Sequence, residues 1–124
     1  FNWLSGEVQG AKCLDLFAGS GALSFEACSR GARQVVMVEK SSKVAKNLKH
    51  NCQALGLSDI KVVNSDSKSF LKQNTEKFDL VFLDPPFGKS MLEETLLELP
   101  PHLAEEAIVY IEQEAKSQFT PPPE

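Results

Sequence analysis

The chain has 124 residues, 42% of them hydrophobic, with a formal charge of −4, which suits one globular domain and is too short for two ordinary ones. No run approaches the roughly 18 consecutive apolar residues that a membrane-spanning helix needs, and three widely spaced cysteines with no C-x-x-C pair argue against a disulfide framework or a zinc site. The acidic balance also lacks the basic footprint that phosphate-rich partners ordinarily demand, so the expectation from composition is a soluble, cytoplasmic protein with its thiols reduced and buried.

Lys12 to Phe17 (KCLDLF) is an apolar run fit for a buried strand, followed by a glycine turn and a helical pattern from Ala22 to Arg30. Gly31 stands where a helix ends, and Gln34 to Glu39 (QVVMVE) is a β-branched second strand. Ser41 or Ser42 is placed to cap a helix whose apolar residues Val44, Leu48, Cys52 and Leu55 recur at helical spacing, with Gly56 as its stop. Ile60 to Asn64 gives a third strand, Ser67 to Gln73 a short helix, and Phe78 to Asp84 (FDLVFLD) a fourth strand halted by Pro85-Pro86. Met91 to Leu99 reads as a helix closed by Pro100-Pro101, and Ala107 to Glu112 as a fifth strand. Strands alternating with helices at this spacing imply right-handed crossovers and an α/β, doubly wound, mostly parallel sheet with helices on both faces.

Such sheets bind ligands outside the carboxyl ends of their strands, and the informative residues fall there. Asp15-Leu16-Phe17-Ala18-Gly19-Ser20-Gly21 sets two glycines where the first strand turns into its helix, so backbone can approach a ligand closely and helix N–H groups stay available. Glu39 ends the second strand about 20 residues later, where an acid accepts hydrogen bonds from both ribose hydroxyls. The pattern describes a nucleoside pocket; the plain alternative is a tight turn beside a solvated Glu39. Ser24, at the third fingerprint position, counts against a dinucleotide. Asp66 suits an adenine amino group at the rim, caps the helix that begins at Ser67, or does both.

Asp84-Pro85-Pro86-Phe87 is the sharpest signal. Prolines fix the backbone after the acid, so the Asp84 carboxylate and the Pro85 carbonyl present acceptors to one NH2 group, while Phe87 offers a ring for stacking. An amine conjugated to a base is a poor nucleophile, and holding both its N–H bonds favours the pyramidal, more nucleophilic form. The alternative is a proline-ended strand with Phe87 in the core. His50 and His102 have no ligand-spaced partners, and Lys40, Lys43, Lys46 and Lys49 read first as a solvated helix face and second as an RNA contact.

DLFAGSGAL (Asp15 to Leu23), Glu39, the segment ending at Asp66, and DPPF (Asp84 to Phe87) resemble class I S-adenosylmethionine-dependent N-methyltransferases. FNWL at the start, LDLFAGSGALSFEACSRGA, FLDPPF and the following LLEETL resemble, more narrowly, the RsmD-type 16S ribosomal RNA guanine-N2 methyltransferases, over nearly the whole chain. The resemblance implies a Rossmann-like fold and methyl transfer from S-adenosyl-L-methionine, with no metal, to a guanine N2 of ribosomal RNA in the small subunit or an assembly intermediate. It assigns the donor to Asp15, Phe17, Gly19, Ser20, Gly21, Glu39, Lys40, Asp66 and Ser67, and the target base to Asp84, Pro85, Pro86 and Phe87. Members carry a segment before FNWL and a final strand hairpin after the fifth strand in a seven-stranded sheet. A chain that opens on Phe1 and closes on Pro121-Pro122-Pro123 is therefore expected to be one catalytic domain, incomplete at both ends and monomeric. The open alternatives are a DNA adenine-N6 or other amino-group methyltransferase, a nucleotide-dependent oxidoreductase built on the same glycine turn, and an inactive binding module.

Overall fold

A strand with apolar side chains on both faces has to be covered on both, and the elements arrange themselves accordingly. A computed structural model describes residues 6–85 and 89–111. Its elements in chain order are β1 (Lys12–Asp15), α1 (Ala22–Ser29), β2 (Gln34–Glu39), α2 (Ser42–Ala54), β3 (Ile60–Asn64), α3 (Ser67–Gln73), β4 (Phe78–Leu83), α4 (Lys89–Glu98), a 3-10 turn (Pro100–His102) and β5 (Leu103–Ile111). The described strands form one parallel sheet in the order β3-β2-β1-β4-β5. The doubly wound α/β architecture expected from the sequence is thus the one observed, and the order reverses between β1 and β4, the switch point where such sheets open a crevice.

Strand alternation sorts the core into two layers. Cys13, Val35, Met37, Leu80 and Phe82 face α1 and α2, where Ala27, Leu48 and Cys52 complete the cluster. Leu14, Val36, Val38, Val81 and Leu83 face the other way, against Leu71 of α3 and Leu99 after α4. Cys13 and Cys52 are buried, and burial pushes the Cys13 thiol up to about 12, so these sulfurs behave as small core groups as expected.

The ends of several elements differ from the sequence expectation. β1 stops at Asp15 rather than Phe17: the Leu16 N–H still reaches the Phe82 carbonyl on β4 (3.4 Å), and the chain then enters the turn that Gly21 N–H closes on the Ala18 carbonyl. β4 ends at Leu83, one residue before Asp84, and α1 ends at Ser29 with Arg30 as its C-cap. Leu55, expected on the apolar stripe of α2, is its C-cap and 64% exposed. α4 starts at Lys89 rather than Met91, and Pro100-Pro101 continue into a 3-10 turn instead of simply stopping the chain. The largest difference is β5, which begins at Leu103 rather than Ala107. Leu103 pairs with Phe78, but the next pair is Leu80 with Ile108, so β5 bulges around Glu106, whose φ is 62°. Glu112, the last residue of the expected strand, and Pro86 and Phe87 lie outside the described residues.

Candidate active site

At the carboxyl end of β1 the chain folds back on its neighbours. Ala18 N–H donates to the Val38 carbonyl (3.0 Å), and Gly21 N–H to the Ala18 carbonyl (2.8 Å), closing a tight turn before α1. Gly19 (φ 54°) and Gly21 (φ 83°) hold the left-handed backbone that this turn needs. Gly21 has a second constraint: a Cβ there would sit 2.7 Å from the Phe25 ring and 2.9 Å from Leu48. It stands behind the cavity wall, where its smallness lets the start of α1 pack against α2.

Glu39 is tied to that turn. Its Oε1 accepts from Gly19 N–H (2.8 Å) and its Oε2 from Ser41 N–H (2.9 Å), so one carboxylate fixes both the glycine turn and the entry to α2. The Asn64 amide then donates to the carbonyls of Glu39 (2.9 Å) and Lys40 (3.0 Å), locking the β2–α2 loop from the β3 side. Asp66 caps α3: Oδ1 accepts from Ser69 N–H (2.7 Å), and Oδ2 from the Ser69 hydroxyl (3.1 Å). These hydrogen bonds, led by the Ser69 N–H, hold the Asp66 carboxyl below the usual carboxylate range.

Asp15 is the buried acid of the site, 2% exposed, and its Oδ2 accepts from the Ser24 hydroxyl at 2.7 Å. Burial pushes its carboxyl up to about 6; the Ser24 hydroxyl and the Phe17 N–H pull it down, while Asp84 and Glu39 push it further up. Ser24 is itself fully buried on α1.

These pieces meet in one cavity of about 600 Å³, a volume suited to a nucleoside-sized ligand. Asp15, Phe17, Gly19 and Ser20 line it from the turn, Glu39 and Lys40 from the end of β2, Asp66 and Ser67 from the start of α3, and Asp84 and Pro85 from the end of β4. All the described residues assigned to the site from sequence are therefore brought together on its lining, Gly21 excepted. Leu16 and Ala18 of the glycine turn, Ala22 and Leu23 at the start of α1, and Ser65 before Asp66 also line the cavity without having been assigned to it, and sequence reading missed three further contributors. Met91 of α4 forms part of the wall, Asn64 braces the loop, and Ser24 steadies Asp15. Only the position of Ser24 in the glycine fingerprint carried a signal, and its partner is nine residues away in the chain.

The family model described as conserved hypothetical protein 95 matches residues 1–124. The chain is similar to ribosomal RNA small subunit methyltransferase D of Escherichia coli strain K12, 44% identical over 119 residues that cover 94% of this chain and 60% of that protein. The protein of the same name from Haemophilus influenzae is 42% identical over 128 residues, covering 98% of this chain and 66% of its own length. The solved structure of the Escherichia coli protein yhhF superposes with a TM-score of 0.86 at 42% identity, covering 99% of this chain and 71% of that one. The chain thus spans less than two thirds of the length of these curated relatives, and the motif resemblance drawn from its sequence agrees with them.

Proposed function

The chain belongs to the family described as conserved hypothetical protein 95, and from that premise we propose that it is the catalytic core of an S-adenosylmethionine-dependent enzyme that methylates a guanine N2 of small-subunit ribosomal RNA. One observation carries the reading: Asp84 and the Gly19 turn, from separate strands, line the same cavity. The lining fits the donor. Gly19 presents open backbone, Glu39 lies where ribose hydroxyls need an acceptor, and the Asp15 carboxylate offers a cationic ligand a partner at the cavity floor. Glu39 and Asp66 each keep lone pairs beyond the hydrogen bonds they already accept.

When bound, S-adenosylmethionine supplies a methyl group on a positively charged sulfur. The chain's own part is to bring an amine to it. The Asp84 carboxylate and Pro85 carbonyl accept the two N–H bonds of the base, which turns the nitrogen lone pair outward and fixes its approach. Phe87, on its sequence pattern, stacks on the base.

The test uses the full-length protein with small subunits lacking the mark, and follows labelled methyl from S-adenosylmethionine. Label in a guanine of the 16S RNA is expected; label in DNA adenine alone overturns the assignment. Asp84→Ala is expected to lower transfer by roughly 10²-fold or more while donor affinity by calorimetry stays near that of the unmodified protein. Loss of donor binding in a folded Asp84→Ala variant contradicts the acceptor role. Calorimetry with NAD alongside S-adenosylmethionine separates the oxidoreductase alternative, which requires NAD to bind.

A further inference from the structure

We infer that the outward face of α2 is the surface on which the phosphate backbone of the RNA substrate docks, guiding it to the cavity mouth at Lys40. This rests on the ribosomal RNA reading above and names the surface that serves it. Residues 40–58 carry Lys40, Lys43, Lys46 and Lys49 and not one Asp or Glu. That segment is formally +4 in a chain of −4, so the remainder carries −8. In a chain whose acids outnumber its bases, three of the 13 cations stand on α2 with no acid among them.

The helix bears a cost for it. Lys43 stands in the first turn, beside the positive end of the helix dipole, and Lys43–Lys46 and Lys46–Lys49 are like-charge pairs at i,i+3 with no acid between them. Elsewhere Arg30, at the end of α1, pairs with Glu26 four residues before it and Lys68 of α3 pairs with Glu98, although Lys72 of α3 makes no such pair with the described residues. No ion pair joins Lys43, Lys46 or Lys49 to another of the described residues. Local rules broken in this way mark a functional surface rather than a stabilising one.

The geometry suits the role. Ala45, Leu48 and Cys52 turn one face of α2 into the core, which leaves Lys43, Lys46 and His50 on the solvent side with Lys49 on its flank, all exposed. The strip runs into the site without a flexible joint: Lys40 lines the cavity, and its carbonyl is held by the Asn64 amide. From the end of β2 to Asp84 at the end of β4 is two strand spacings, roughly 10 Å. An RNA strand anchored on α2 therefore passes the cavity mouth within reach of the base site.

The experiment compares the full-length protein with a K43Q/K46Q/K49Q variant and with K61Q/K72Q/K77Q, which removes equal charge elsewhere. The probe is the small ribosomal subunit lacking the mark, with its binding to fluorescently labelled protein followed by anisotropy over roughly 50–200 mM salt, and S-adenosylmethionine affinity is measured on each preparation. The α2 variant is expected to bind RNA at least tenfold more weakly at about 100 mM salt, with a salt slope lower by about 2, since each phosphate contact contributes roughly 0.7–0.9. Its donor affinity stays unchanged, which also shows that it is folded, and the control variant keeps the parent slope. RNA affinity and slope unchanged in the α2 variant, or an equal loss in the control, overturns the docking surface while leaving methyl transfer to RNA standing. A parent protein that binds donor but no RNA at any salt overturns both.

Discussion

Asp15 and Ser24 together set how the site responds to pH. The carboxyl of Asp15 rests at about 6 against an ordinary 3.8, chiefly because it is buried, so the folded chain holds a proton that the unfolded chain has released. Its contribution to stability is complete below pH 3.8, declines as pH rises, and is gone above about 6, a loss of about 3 kcal/mol across that window. Urea titrations in a pH series are expected to show this decline, and Asp15→Asn is expected to flatten it; an unchanged slope in the variant removes Asp15 as the source. Ser24→Ala deletes the hydroxyl that steadies the ionised acid. It is expected to cost about 1–3 kcal/mol at pH 8 and clearly less at pH 5, where Asp15 is protonated. A cost independent of pH would mean that only packing was lost.

At the scale of elements, Asp66 caps α3 and lines the cavity, and substitution can separate the cap from the donor contact proposed for it. Asparagine caps helices as well as aspartate does, so Asp66→Asn is expected to keep α3 and the melting temperature while weakening donor binding, whereas Asp66→Ala loses both. If Asp66→Asn binds donor as tightly as the parent, the residue is a helix cap and nothing more. Because the Asp66 carboxyl lies below its usual value, its stabilising effect is present above pH 3.8 and fades as pH falls through its folded value, opposite in sign to Asp15. Gly21→Ala is expected to destabilise by more than about 1 kcal/mol, since it meets both an unfavourable φ and the Phe25 and Leu48 side chains; thermal melts of the variant check this. Elements built from contiguous signals were legible in the sequence: the strand–glycine–helix unit, a serine cap of α2, which the structure assigns to Ser41 rather than Ser42, and the acid at the end of β2. β5 was legible only from Ala107 on; its start at Leu103 was not, because its pairing passes through a bulge at Glu106, and a bulge destroys the alternation by which strands are recognised. Ser24 was visible as a departure from the glycine fingerprint, but that its hydroxyl serves Asp15 depends on how α1 packs over β1, which spacing alone does not encode.

For the molecule as a whole, the cavity exists only where the ends of β1, β2 and β4 and the start of α3 stand side by side. An unfolded chain therefore offers the donor nothing, and every donor bound counts toward the folded state. S-adenosylmethionine at about 100 times its Kd is expected to raise unfolding free energy by about 2.7 kcal/mol, which is about 10 °C in melting temperature for a domain of this size. Among the described residues, four carboxylates line the cavity, Asp15, Glu39, Asp66 and Asp84, with one lysine, Lys40, so a cation entering there favours the ionised form of Asp15. Below pH 6 that ionisation has to be bought by releasing a proton. The donor-induced shift is accordingly expected to be smaller at pH 5 than at pH 8, and the difference to vanish in Asp15→Asn. A donor-induced shift that is equal at both pH values in the parent chain would place the bound cation away from Asp15 and leave the glycine turn and Glu39 to hold the donor alone.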